Sequence, residues 1–349
     1  MTEQGFLQQL ERALLKLNET EKKDIIRDFT EYFASGRAEG KQTSEMIAAL
    51  GSPEELAVEL LKVYSEDEFV QVTHLEQEDD VKHVVIKSDQ ADIRILPSPT
   101  GKVYTELSEK ADQTRVDIER EQDTLKITIR AKESKFKILG ISFIFSKDSH
   151  SVVTIYLPEK LYETMNVKSD QGEISIEHLQ MKQLSVRSDQ GRTELRHILA
   201  RETDLLVDTG RIVTKDCNFT AAKLKTDTGR IVVKRSKAER WNLETDTGRI
   251  VLKHAGGEIS ARTDTGRIIY ESQAVTSPIH LKTDTGNIEL LTTEPLQNAT
   301  VKAKTDMGKI MIYGDKKRTA VFGDGALPIS LKTDMGNISI KMIKEEILM

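Results

Sequence analysis

The chain has 349 residues, room for one small domain plus an elongated array, and carries a formal net charge of −6. One cysteine excludes an intrachain disulfide framework, and 5% aromatic content argues against a surface built to grip sugars or planar ligands. The charge is uneven: residues 1–66 carry 8 basic and 13 acidic side chains, residues 67–80 carry 6 acidic and none basic, and the remainder is net +5.

Phe6, Leu7, Leu10, Leu14 and Leu17 fall at helical spacing, as do Ile25, Ile26, Phe29, Tyr32 and Phe33. Gly36 and Gly40 punctuate, a short third helix is predicted from about Ser44 to Leu50, and Gly51 stops it. Ser52-Pro53-Glu54-Glu55 has the form of a capping box that starts a fourth helix, with Leu56, Ala57, Leu60, Leu61 and Tyr64 as its apolar face. Residues 1–66 are therefore read as a four-helix bundle. The N-terminus shows no basic region leading into an apolar segment, and no apolar run reaches the roughly 18 residues of a membrane span. The expectation is a cytoplasmic protein, with a peripheral place at the membrane left open.

Phe6-Leu7-x-x-Leu10, Asp28-x-x-Glu31-Tyr32-Phe33, Gly40-Lys41 and Leu50-Gly51-Ser52-Pro53-Glu54-Glu55-Leu56-Ala57 resemble the HAAS-type signalling domain of firmicute bacteria. The resemblance implies signalling by protein contact. That domain usually precedes membrane-spanning segments, and no such segment follows here.

Residues 67–80 read as an acidic linker. In residues 81–168, alternation in Val81–Ile86, Leu125–Ile129 and Val152–Leu157 predicts strands. One early copy of the later repeat, Ser88-Asp89-Gln90-Ala91-Asp92-Ile93, has Ala91 where glycine belongs. This region is expected to form wider, irregular coils or a β-sheet cap at the front of the array.

From residue 169 one phrase recurs, most purely as Thr-Asp-Thr-Gly-Arg-Ile at Thr226–Ile231, Thr245–Ile250 and Thr263–Ile268. Its members are Asp170 and Gly172, Asp189 and Gly191, Asp208 and Gly210, Asp227 and Gly229, Asp246 and Gly248, Asp264 and Gly266, Asp284 and Gly286, Asp306 and Gly308, and Asp334 and Gly336. The first five glycines are each 19 residues apart. A fixed short period predicts stacked units that share one core. The fold class is thus mainly β: a parallel β-solenoid (β-helix) of about 19-residue coils over 169–349, the last residues forming a cap. Leu224, Thr226, Ile231 and Val233 are predicted to face in, and Lys225, Asp227, Arg230, Val232 and Lys234 out. Successive windows are expected to lie directly over one another, with Asp accepting hydrogen bonds from the turn and Gly supplying positive φ. The array resembles the bacterial "putative adhesin" family of β-strand repeats, whose members often accompany cell-envelope stress systems; the resemblance brings no catalytic residues.

Several rows are candidates for function. The Asp row is a weak calcium candidate, because an Arg three residues on opposes a dication. The arginines Arg192, Arg211, Arg230, Arg249 and Arg267 are read first as counter-charge to the aspartates. Phosphates of nucleic acid or lipid are a second reading, opposed by the interleaved Asp and the few aromatics. Threonines flanking each Asp are similar to ice-binding ladders but enter a glycine corner. His178, His197 and Asp216 align at 19-residue steps as a transition-metal candidate without a fourth ligand. Val213, Val232, Val251 and Ile269 form an outward apolar row, the first choice for docking a protein partner. Trp241 is placed in a return loop.

No hydrolase, metalloprotease or phosphate-loop motif occurs, so the reading is non-enzymatic and needs no cofactor. The expected role is a protein-interaction scaffold or adaptor, its partners including membrane-associated signalling proteins; nucleic acid is disfavoured. A self-assembling scaffold, joined through the solenoid ends, and a surface adhesin or carbohydrate-binding module are the alternatives.

Overall fold

The computed structural model describes residues 2–14, 19–57, 73–74, 81–107, 114–131, 135–138, 141–144 and 151–343. The chain divides into two units, residues 1–69 with 132–149 and residues 70–131 with 150–349.

In the first unit, α1 (Glu3–Ala13), α2 (Glu19–Ala38) and α3 (Thr43–Leu50) are followed by a helical stretch over residues 53–57. Thr2 caps α1 by accepting the Gly5 N–H at 3.1 Å, and Ser52 accepts the Glu55 N–H at 3.1 Å with Pro53 at the first helical position. The predicted apolar faces meet in one core of Phe6, Leu10, Leu14, Ile25, Phe29, Phe33, Met46, Leu50, Leu56 and Ala57. Leu17, Leu60, Leu61 and Tyr64 lie outside the described residues. Gly36 does not punctuate: it lies inside α2, where an added Cβ would sit 2.1 Å from Met46 Sδ, so the glycine makes room for α3. The helix ends at Gly40 (φ +81°), whose N–H donates to Arg37 O at 3.0 Å while Lys41 N–H donates to Gly36 O at 2.9 Å. That pair of bonds satisfies carbonyls the helix end leaves open.

The strands, in chain order, begin with β1 (Thr73–His74), β2 (His83–Gln90), β3 (Asp92–Pro97), β4 (Tyr104–Leu107), β5 (Thr114–Glu121) and β6 (Thr124–Ala131). A separate antiparallel ribbon pairs β7 (Lys135–Ile138) with β8 (Ile141–Ile144). Then come β9 (Val152–Leu157), β10 (Leu161–Gln171) and β11 (Ile174–Glu177). Five 17-residue strands follow: β12 (Gln180–Arg196), β13 (Leu199–Lys215), β14 (Asn218–Lys234), β15 (Lys237–Lys253) and β16 (Gly256–Ser272). The last are β17 (Ile279–Thr285), β18 (Ile288–Thr292), β19 (Ala299–Met307), β20 (Ile310–Ile312), β21 (Thr319–Phe322), β22 (Leu327–Met335) and β23 (Ile338–Met342).

The 17-residue strands pair in parallel, each residue of β12 to β14 opposite the one 19 positions on, Leu205 against Leu224 and Leu224 against Leu243; between β15 and β16 the register shifts after Lys237 and the step becomes 18. Pairing lapses at Asp208 and at Arg201, and the chain turns again at Asp216, so each coil has three straight stretches and three corners. A closed coil turns one face of every stretch inward, and Leu224, Thr226, Ile231 and Val233 are fully buried, as predicted. No coil encloses enough apolar surface alone; stacked, they form one continuous core from Val81 to Ile340. The return stretch expected to be loop is strand as well. Trp241 therefore lies within β15, 2% exposed, its ring edge-on to Phe219 at 5.7 Å and its Nε1–H donating to Gly256 O at 3.0 Å.

Coil order in space departs from order along the chain at both ends. β10 pairs with β12 on one side and with β2 on the other, at a distance of 81 residues. β22 lies between β17 and β19, and β23 between β18 and β20. The final coil is thus inserted before the penultimate one, which corrects the expectation that every window lies on its predecessor. The glycine corners record the same order: a Cβ on Gly336 would meet Gly286 O, and one on Gly308 would meet Gly336 O. The region expected to form irregular coils or a cap contains a regular coil, β2 with β3, whose Ser88–Ile93 copy lies in register with Ser169–Ile174.

Both ends of the stack finish in antiparallel pairing. β5 runs against β6, β4 against β9 and β1 against β4 at the front; β21 runs against β19 at the back. The tail was expected to seal the back. Of that tail, Lys341 and Met342 extend β23, and residues 344–349 lie outside the described residues. Of the acidic linker, the described part is Thr73–His74, and it forms β1.

Candidate functional site

The sequence rows become physical rows once the coils stack at about 4.8 Å. The aspartates take up different partners from those expected. Asp170, Asp227, Asp264, Asp284, Asp306 and Asp334 each lie 2.9–4.0 Å from the basic side chain two residues earlier, Lys168, Lys225, Arg262, Lys282, Lys304 and Lys332. Residues i and i+2 share a strand face, so this pairing needs no distortion, whereas the Arg at i+3 lies beyond the glycine corner. Among the described residues, none of the Asp-row carboxylates accepts a backbone N–H or pairs with the arginine row, which corrects both expectations.

Where the turn does need a side-chain acceptor, the residue after the corner supplies it. Asp92 Oδ1 accepts Glu173 N–H at 2.7 Å, Asn287 Oδ1 accepts Asn337 N–H at 2.8 Å and Asn337 Oδ1 accepts Lys309 N–H at 2.9 Å. These are outer coils, where the strands break at the corner. In the middle coils the ladder runs through it, Gly191 to Gly210 to Gly229 and Arg192 to Arg211 to Arg230, and the same position is free to carry arginine. The threonines before each Asp point inward and are buried at Thr226, Thr245, Thr263 and Thr283, so they make no flat outer face.

His178, His197 and Asp216 do share one edge. They occupy the second corner with φ of 56°, 52° and 55°, continued by Arg235 and His254. The two imidazoles stack face to face at 4.4 Å, and Asp216 accepts two hydrogen bonds from Arg235 at 2.7 and 2.8 Å. Arg235 holds the Asp216 carboxyl below its ordinary 3.8. Among the described residues no three His, Cys, Asp or Glu side chains converge as a metal site. Beside them Cys217 is 3% exposed, its thiol donating to Lys215 O at 3.2 Å, and burial pushes its pKa up.

The proposed docking row is continuous in register: Glu194, Val213, Val232, Val251, Ile269, Glu289. Its exposure is lower than an outward apolar row implies. Val213 is 7% and Val232 9% exposed, while Val251 and Ile269 are half-buried. Arg211 and Lys215 stand two residues either side of Val213, and the later coils repeat the pattern, so long side chains flank the apolar row throughout. Both bounding glutamates are ion-paired, Glu194 to Arg192 and Arg196, Glu289 to Arg267 at 3.7 Å.

The feature that sequence reasoning missed is a groove along the first corner, with a volume of about 1580 Å³. Its floor is the glycine row from Gly172 to Gly336, and one wall is the row Arg192, Arg211, Arg230, Arg249, Arg267. Five Gly-Arg dipeptides at fixed spacing were the available signal. Their depth was hidden because it follows from how the corner folds.

The Toastrack DUF4097 family matches residues 81–341, three quarters of the chain. The chain belongs to this family. The HAAS family matches residues 5–59 of the same Toastrack protein. No curated protein matches it. Among solved structures, this Toastrack chain is similar to a "putative cell adhesion protein" from Clostridium sporogenes, at 11% identity over 78% of this chain and 98% of that one with a TM-score of 0.22. A "putative adhesin" from Bacteroides fragilis is 13% identical over 79% and 98%, TM-score 0.40. A "putative lipid binding protein" from Parabacteroides distasonis is 16% identical over 78% and 96%, TM-score 0.40. Among the described residues, no helix is long and apolar enough to cross a membrane.

Proposed function

We propose that this Toastrack protein is a non-enzymatic binding scaffold, an adaptor whose HAAS head and solenoid meet protein partners in a bacterial cell-envelope stress or signalling response. The observation that carries the reading is the run of five 17-residue strands in near-unbroken register. Such a stack presents one side chain at one place in every coil, on a surface too stiff to close around a small substrate. The HAAS match supports partner contact through the head, and the buried, unpaired Cys217 accords with a reducing compartment. The docking row centred on Val232 and Val251 is the proposed contact on the solenoid.

The test uses the full chain. The wild type captures its membrane-associated partner from a cell extract, identified by mass spectrometry; Val232→Lys with Val251→Lys abolishes that capture while circular dichroism and Tm stay within a few degrees. Capture that survives the double substitution removes this row. For the envelope role, a deletion strain is expected to change its transcriptional response to cell-wall antibiotics, and an unchanged response overturns that part. Protease shaving of intact cells distinguishes the adhesin reading, which needs the chain at the surface.

A further inference from the structure

The glycine groove runs across the coils, perpendicular to the strands. From Gly172 to Gly336 it crosses eight stacked corners, about 34 Å at the strand spacing. Every glycine is required by the stack, because a side chain there would strike the carbonyl of the coil below, so the floor is bare backbone.

The wall decides the chemistry. Among the described residues, Arg211, Arg230 and Arg249 form no ion pair, although the aspartates of the same phrase are close in sequence. Arg192 and Arg267, at either end of this trio, are paired to Glu194 and Glu289. Three stacked guanidiniums therefore face the groove with their charge uncompensated, bounded by two that are neutralised. The carboxylates lining the groove, Asp92 and Glu173, are at its front end, away from the trio. No aromatic side chain lines it, so bases have nothing to stack on. An extended acidic peptide offers carboxylates on one side only every second residue, nearly 7 Å apart and out of step with guanidiniums about 4.8 Å apart. A polymer charged at every repeat unit can meet each one.

We propose that the groove binds a linear, base-free phosphate polymer, held lengthwise by Arg211, Arg230 and Arg249, with guanidinium forks on its phosphate oxygens. The probe is long-chain inorganic polyphosphate, followed by fluorescence anisotropy with the full chain over a series of salt concentrations. Binding is expected to weaken with salt. Arg211→Gln, Arg230→Gln and Arg249→Gln together should lower affinity at least about tenfold and reduce the log–log salt slope by about 2, from three lost phosphate contacts. These side chains hold no partner in the fold, so circular dichroism should not change. Orthophosphate at equal phosphate concentration should compete poorly, because separate ions lack the linkage of a chain.

A control removes the same charge from the neighbouring row: Lys215→Gln, Lys234→Gln and Lys253→Gln should leave most of the affinity. Equal loss in the lysine and arginine variants would mean diffuse attraction and would overturn the slot. So would unchanged binding by the arginine variant, competition by orthophosphate as strong as by polymer, or tighter binding of oligothymidylate or phosphatidylglycerol vesicles than of polyphosphate.

Discussion

Gly229 has a φ of +154°, and a Cβ there would lie 1.7 Å from the carbonyl oxygen of Gly210. Backbone preference and stacking thus demand the same residue. Gly229→Ala is expected to cost at least about 3 kcal/mol, combining overpacking against immovable backbone with a disfavoured φ; chemical denaturation measures it. The second corner tolerates positive φ differently. Asp216 and Arg235 occupy it without glycine, joined across coils by two hydrogen bonds. Arg235 depresses the Asp216 pKa, so the pair contributes stability above 3.8, and that contribution is lost as pH falls through the lower, folded-state value. The stability gap between wild type and Arg235→Gln should accordingly be present at neutral pH and close well below 3.8, as read by urea midpoints. The gap is small because Arg235 is exposed and solvent screens the pair. Cys217 sits one residue on, buried, with its thiolate disfavoured. Thiol reagents should leave it unmodified in the folded chain and label it fully in denaturant.

At the level of elements, β21 is the instructive strand. An open parallel stack ends in unpaired N–H and C=O groups, a template for another chain. β21 covers β19 by antiparallel pairing, Val301 against Ala320, and Arg318 O accepts Ala303 N–H at 2.8 Å. Ala320→Pro with Val321→Pro breaks this cover. The variant is expected to associate in proportion to concentration by static light scattering, while the wild type keeps a constant mass. Growth of the wild type itself would revive the filament alternative. The 17-residue strands show why element reading from sequence went only part way. The inward Leu, Thr, Ile and Val were legible from alternation, but the return stretch was not. Phe219, Ala222 and Trp241 are buried there on β14 and β15, where corners interrupt the period-2 pattern. Likewise the Gly-Arg repeats were visible, while the groove they make depends on the corner's backbone path.

For the whole molecule, the inserted final coil makes neighbours of segments far apart in sequence. β17 meets β22 across 50 residues, and among the described residues the parallel strand pairing that joins β19 to the stack runs through β22. A chain ending after residue 313 lacks β21, the antiparallel cover of β19, together with β22 and β23. Its segment 299–312 should lose hydrogen-exchange protection while β12 to β16 keep theirs, since a stack is stabilised mainly by nearest neighbours. Protection surviving in 299–312 would show that another surface holds it. The head obeys a simpler logic: helical spacing, a Ser-Pro start and a Gly stop gave its core because each depends on residues within a few positions. The nineteen-residue period likewise determined stacking, inward rows and the glycine corner, since identical windows can bury their apolar face only against one another. What tertiary structure decided is which coil lies beside which at the ends, and that three arginines face a groove without a partner. Those outcomes rest on through-space neighbours 19, 50 or 81 residues away, and a local pattern holds no record of them.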